Sequence, residues 1–333
     1  MKNVSEVGHI FRWDLDKTYL ATDFDTALDL LKTFRQTPDD KRNVPGSDAL
    51  LRAVLVPQGN RVRHVTFISG SPQEMREVLT RKLQIDGIEP AHFVLKPNLQ
   101  NLFKGRFRAL RGQVGYKLHA LMTLRNRGPI APETLFGDDA EADAFIYSLY
   151  ADIAAGRVGR ELVKQVLAKA RVYDDTASQI LDMIRASEIQ DTARRIFINL
   201  DRHTPTGNFR PYGGRLVPIH NYFQAAIVLY GDGVLDAADV LGIGISMNRS
   251  HQFTPAMLAN SLQDLIRRRR LSPATAQRLA EDLPSVQVSD EVPRDMTPDA
   301  FVRELGQRLT AGQHAAVTLL GDTGVPDYLA LVH

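Results

Sequence analysis

The 333-residue sequence contains no cysteine. That absence removes disulfide crosslinks, thiolate metal ligands and thiol nucleophiles together. An excess of charge of one sign is missing too. Lys and Arg number 41 against 39 Asp and Glu, a formal net charge of +2 with a pI near 8.8. So even a balance sets up no strong field to draw a polyanion such as nucleic acid. No apolar run approaches the ~20 residues that cross a bilayer, and the N-terminus shows no basic-then-apolar leader, so the expectation is a cytoplasmic chain. What is present is 44% hydrophobic and 24% charged residues, the make-up of a globular protein of one large or two ordinary domains. The one dense basic run, Arg267 to Arg270, sits in a helical pattern with Leu262, Leu265 and Ile266. It reads as a solvated face that could also settle on an anionic surface.

Strand and helix signals alternate through the first half, the pattern of a parallel sheet with helices on both faces. The first strand covers about 9–14 and runs into Asp14, Asp16 and Thr18. Two carboxylates just past a buried strand are costly unless something uses them. A metal ion together with a transferable phosphoryl group would use both; a plain acidic turn would look the same over five residues. Phe24, Leu28, Leu31 and Phe34 mark one amphipathic stretch, and a polar turn region, 37–47, follows. Together they are expected to form a small cap beside the site.

The second strand, Val62 to Ile68, ends in Ser69-Gly70-Ser71-Pro72. Ser71 as N-cap, Pro72 at the first helical position and Glu74 as the capping-box partner predict a helix start there. The third strand lies near 91–95. Lys96, Lys104, Arg106, Arg108 and Arg111 follow, and a helix is expected to begin at Gly115-Tyr116-Lys117. A lysine at a helix start is electrostatically misplaced, although exposed lysines do occur there. The fourth strand, 134–136, runs into Gly137-Asp138-Asp139-Ala140-Glu141-Ala142-Asp143. Adjacent hard oxygen ligands suit Mg²⁺, and an acidic helix N-terminus is the other account of the same residues.

Asp14-x-Asp16-x-Thr18 resembles the first signature of the haloacid dehalogenase (HAD) superfamily, and the later strand ends resemble its remaining signatures in order. The resemblance implies a Rossmann-like α/β fold and a Mg²⁺-dependent phosphohydrolase that works through an aspartyl phosphate. It implies Asp14 as nucleophile, Asp16 as general acid/base and Thr18 as support for the Asp16 loop. Ser69 and Gly70 would bind the phosphate, and Lys117 would neutralise it. Asp14, Asp16 and Asp138 would hold the metal. Asp143 would complete that site, holding a metal-bound water or the lysine, and Asp139 could replace Asp138 or Asp143.

Within that superfamily, Phe67-Ile68-Ser69-Gly70-Ser71-Pro72 is similar to a stretch of the phosphatidate phosphatase catalytic domain of the actin-patch-associated type. That family's last motif reads Gly-Asp-Ser-Gly-Gln-His-Asp followed by Pro-Glu-Ile-Tyr. This chain keeps Gly137, Asp138, Asp143, Ile146 and Tyr147, and Leu102-Phe103-Lys104 is also similar. Lys17 stands where the family usually has Asp, Gly70 replaces an Asn, and the Ser-Gly-Gln-His core is absent. The resemblance covers residues 9 to about 155.

Ile196 to Leu200 reads as a fifth strand, which makes 156–192 a helical insertion. A catalytic domain over 1–245 and a helical region over 246–333 are expected. The open site implied by a small cap favours a bulky phosphorylated substrate, a lipid first and a nucleic-acid end or protein phosphate second, with peripheral membrane contact. A non-catalytic HAD-like binding domain is the other class of reading. The presence of both Asp14 and Asp16 argues against it.

Overall fold

The computed structural model describes residues 6–21, 42–57, 59, 61–96, 110–287, 296–311, 319–321 and 324–332. Its strands are β1 (Val7–Trp13), β2 (Val62–Pro72), β3 (His92–Lys96), β4 (Glu133–Asp138), β5 (Ala193–Asn199) and β6 (Leu216–Ile219). They form one sheet in the order β3-β2-β1-β4-β5-β6. The pairings of β1 with β2 and β4, of β2 with β3 and of β4 with β5 are all parallel. Parallel strands must be covered on both faces, so they read as near-continuous apolar runs. β4 is buried along its whole length, and β1 over its last five residues.

The helices, in chain order, begin with α1 (Ser47–Leu55), α2 (Arg76–Ile85), α3 (Leu110–Arg127) and α4 (Asp143–Ala154). α5 (Arg160–Lys169) and α6 (Asp174–Ala186) lie between α4 and β5, so the segment expected as an insertion is part of the crossover from β4 to its parallel neighbour. α4 is buried at every position. Val114, Leu118 and Leu121 of α3, Phe145, Ile146 and Leu149 of α4, and Val163 and Val166 of α5 share one core with Leu135 and Ile196 of the sheet. Tyr328, near the C-terminus, joins that core and donates to Asp152 at 2.5 Å.

Three sequence expectations meet a different local structure. β2 runs on to Pro72, and a 3-10 turn (Gln73–Met75) precedes α2 with no side-chain cap. Ser71 is therefore part of the strand and not an N-cap, because its hydroxyl is engaged by Asp16. α3 begins at Leu110 instead of Gly115, which places Lys117 in the body of the helix. The expected boundary near 245 falls inside α8 (Ala237–His251). The amphipathic stretch at Phe24, Leu28, Leu31 and Phe34, most of the expected cap, lies outside the described residues. So do Leu102, Phe103, Lys104, Arg106 and Arg108.

The chain divides into two compact units. The sheet unit comprises Met1–Arg42, Leu55–Pro218 and Thr323–His333. The helical unit comprises Asn43–Val54 and Ile219–Asp322. Within the latter, α7 (Tyr222–Gly231) is buried along nearly its whole length, with Asn221 capping it through Gln224 N. α8 starts with a reciprocal Asp236–Asp239 capping box. α9 (Pro255–Arg267) and α10 (Pro273–Asp282) each start with a hydroxyl cap, Thr254 and Ser272, followed by proline. α11 (Pro298–Ala311) brings Phe301 edge-on to Phe223, ring centroids 5.7 Å apart. A last short helix, α12 (Tyr328–Leu331), belongs to the sheet unit. No described helix is long and apolar enough to cross a membrane.

Candidate active site

The strand order reverses between β1 and β4, because the chain runs β1, β2, β3 outward and α3 then carries it back to the other side of β1. At such a switch point the loops leaving the two strands part and open a crevice at their carboxyl ends. Asp14 follows β1 directly, and its N–H continues the ladder to Phe136 O at 2.9 Å. Asp138 is the last residue of β4, whose Phe136 is in register with Trp13. The topology thus delivers two carboxylates side by side.

Asp143, the first residue of α4, is the third. It can sit so close because residue 137 is glycine: a Cβ there would overlap the Asp143 carboxylate. Asp14, Asp138 and Asp143 are all buried, and each offers a carboxylate oxygen within 4.8 Å of the others. Asp16 is not in this group. Its Oδ2 accepts the Ser71 hydroxyl at 2.5 Å and the Ser69 hydroxyl at 3.1 Å. Ser69 Oγ in turn accepts the Ser71 N–H at 2.9 Å, so the serines on either side of Gly70 form one holder for Asp16.

Lys117 faces the cluster from α3, with 1% of its surface exposed. Its ammonium lies 2.5 Å from Asp143 Oδ1, 2.7 Å from Glu141 Oε2 and 3.1 Å from Asp14 Oδ1. Asp138 Oδ1 accepts the Ala140 and Glu141 N–H groups at 2.6 and 2.9 Å, and its Oδ2 takes the Thr18 hydroxyl at 3.3 Å. Four carboxylates therefore converge where one ammonium stands. Burial, with the neighbouring acids adding to it, pushes the Asp14 and Asp138 carboxyls well above the usual range, and burial raises Asp143 to about 6. Burial opposes the charge on Lys117, but Asp14, Asp143 and Glu141 outweigh it and hold the ammonium firmly protonated.

The surplus negative charge fits a hard cation. Such ions take carboxylate oxygens at short range, and a buried anion without a partner is otherwise expensive. Asp14 Oδ2 is buried with no hydrogen-bond partner among the described residues, which leaves it open both to a metal ion and to an electrophile.

Asp139 does not reach the cluster. Its carboxylate accepts the Arg202 and Thr204 N–H groups at 2.8 and 2.9 Å and fixes the loop after β5. Residues that sequence reasoning missed secure the Asp16 turn. Lys17 adopts a left-handed backbone with φ 60°, its carbonyl accepts Asn199 Nδ2 at 2.8 Å, and its ammonium lies 3.3 Å from Asp201. Asn199 ends β5, so its place at the carboxyl edge of the sheet was the signal available for it. Ser71 was read as a helix cap, and Glu141 as one acid among several.

This set of groups lies within a stretch with a recognisable family pattern. Residues 13–165 match the model of the phosphatidate phosphatase APP1 catalytic domain. The match to this phosphatidate phosphatase domain spans Asp14, Ser69, Lys117, Asp138 and Asp143, and stops within α5. No curated protein and no solved structure matches the chain. The resemblance seen in the sequence is thus found independently by the family comparison, and a phosphatase is the activity it supports.

Proposed function

We propose that the protein is a Mg²⁺-dependent phosphomonoester hydrolase of HAD type that acts on a phosphatidate-like lipid through an aspartyl-phosphate intermediate. The observation that carries the reading is Asp14, whose Oδ2 is buried and unpartnered while its Oδ1 faces the Lys117 ammonium, within reach of two further carboxylates. In this reading Asp14 attacks phosphorus. A bond forms from Oδ2 to phosphorus, and the bond from phosphorus to the leaving alkoxide breaks. Splitting the displacement into two steps lowers each barrier. Asp16 gives its proton to the departing oxygen and takes one back from the water that hydrolyses the acyl phosphate.

Ser69 and Ser71 hold Asp16 in place for both transfers. Lys117 sets its charge against the phosphoryl oxygens and steadies Asp14 and Asp143. Thr18 orients Asp138. Asp14, Asp138 and Asp143 would hold Mg²⁺, which when bound supplies positive charge against the transferring group. A lipid headgroup is the substrate class supported by the phosphatidate phosphatase match.

The test is release of inorganic phosphate from p-nitrophenyl phosphate and from phosphatidic acid, with Mg²⁺ and with EDTA. Asp14→Asn protein is run in parallel. Mg²⁺-dependent release that disappears in Asp14→Asn is the expected result. Release that survives Asp14→Asn would remove Asp14 as nucleophile, and preference for a non-lipid ester would remove the lipid assignment.

A further inference from the structure

Tyr116 precedes Lys117 on α3, and its ring packs at the edge of the sheet-unit core. Packing accounts for the ring, and a phenylalanine would serve as well. The hydroxyl is not accounted for: it is buried and has no hydrogen-bond partner among the described residues. A buried hydroxyl with nothing to bond costs stability, and such groups persist where something else uses them.

The surroundings show what that is. The Lys96 ammonium, at the end of β3, stands 5.9 Å from the centre of the Tyr116 ring. Lys96 also feels Glu141, which is paired with Lys117, and Lys117 is paired with Asp14. Lys117, the residue next to Tyr116 on α3, thus ties this position to the acids around the proposed nucleophile. Arg76 is part of the same surroundings, held by Phe93 O at 2.8 Å with its guanidinium over the Phe93 ring.

We infer that Tyr116 is a substrate-contacting residue whose hydroxyl donates a hydrogen bond to an oxygen of the bound phosphorylated substrate. The inference rests on the phosphatase reading above and adds to it the group that meets the substrate from the β2–β3 side. Burial keeps the phenol protonated and outweighs the pull of Lys117 and Arg76 in the other direction, so at neutral pH it can only be offered as a donor or a neutral acceptor. Phosphoryl and carboxyl-ester oxygens are acceptors and suit it.

The test compares wild-type protein with Tyr116→Phe by three readouts. These are steady-state phosphate release from phosphatidic acid, calorimetric binding of inorganic phosphate, and the melting temperature. The expected result is a melting temperature equal to or above wild type, because an unsatisfied hydroxyl has been removed. It comes with an about tenfold weaker Kd for phosphate and an about tenfold lower kcat/KM, the size of effect one lost hydrogen bond produces. A kcat/KM and Kd both within about twofold of wild type would overturn the inference and leave the phosphatase reading standing. A lowered melting temperature alongside lost activity would reassign the hydroxyl to the fold. Wild-type protein that neither binds phosphate nor releases it would overturn the phosphatase reading, and this inference with it.

Discussion

Ser71 donates its hydroxyl to Asp16 Oδ2 at 2.5 Å, from a strand adjacent to the one that leads into Asp16. Hydrogen bonds to a carboxylate are about twice as strong as neutral ones, and they fix its direction. Ser71→Ala should therefore lower kcat about tenfold or more, within the range that general acid–base groups contribute, with KM changed less than about twofold. Ser71→Thr, which keeps the hydroxyl, should restore most of the rate. Equal kcat in the alanine variant would detach Ser71 from the proton-transfer step.

Gly137→Ala should abolish activity without removing any polar group. The added methyl would overlap the Asp143 side chain from its Cβ to its carboxylate. Displacing Asp143 separates it from Lys117 and from the Asp138 N–H. Circular dichroism should still show the folded chain, with a melting temperature lowered by a few degrees, since overpacking a core costs ~1–3 kcal/mol. Full activity in Gly137→Ala would show that Asp143 is dispensable.

The carboxylate cluster makes a prediction that needs no turnover. A cation bound only by the folded state stabilises it by RT ln(1 + [L]/Kd), about 2.7 kcal/mol at a hundredfold excess over Kd. Mg²⁺ should accordingly raise the melting temperature by several degrees. In Asp138→Asn that rise should shrink or vanish, while the metal-free variant melts higher than metal-free wild type because one of the crowded buried charges is gone. An equal Mg²⁺ shift in both proteins would place the ion elsewhere.

Below the sheet edge, Glu133 makes a second buried network that the mechanism does not use. It pairs with Arg12 and accepts Tyr150 Oη at 2.9 Å and Thr192 Oγ1 at 2.9 Å. Burial alone would raise the Glu133 carboxyl, but Arg12 together with the Thr192 and Tyr150 hydrogen bonds outweighs it and holds it below its usual value. With the folded value lower than the unfolded one, the folded state binds fewer protons, so the contribution is present above the unfolded value. It is lost as pH falls through that value toward the folded one. Melting temperature should drop on acidification below about pH 5, where an unperturbed glutamate begins to take up its proton. Glu133→Gln should be less stable at neutral pH and show a flatter profile through that window. A parallel profile would exclude Glu133 as a source of the acid sensitivity.

Much of the sheet could be read from the chain, because fully buried parallel strands leave apolar runs that end sharply where the ligand edge begins. Asp14, Asp138 and Ser69 were singled out for that reason, each lying at or just beyond the end of such a run, whereas Lys117 stood out as a lysine at an expected helix start. The helix starts at Ser71 and Lys117 were misplaced because capping propensity is local, whereas the bond from Ser71 to Asp16 and the packing of α3 are not. A serine that looks like a cap keeps that role only if nothing distant offers its hydroxyl a better acceptor.

The sequence by itself determined the fold class, the order of the acidic, hydroxyl and basic groups along it, and their position at strand ends. All of these follow from hydrophobic period and residue type, which are properties of short segments. The tertiary structure alone decided which acids meet. It turned Asp139 toward the loop after β5 and Asp143 toward Lys117, gave Asp16 to two serines, left one oxygen of Asp14 without a partner, and brought Asn199 to the Lys17 carbonyl. These contacts join residues far apart in the chain. Strand order and the room left by Gly137 fix them, and neither is written in the local pattern around any one of them.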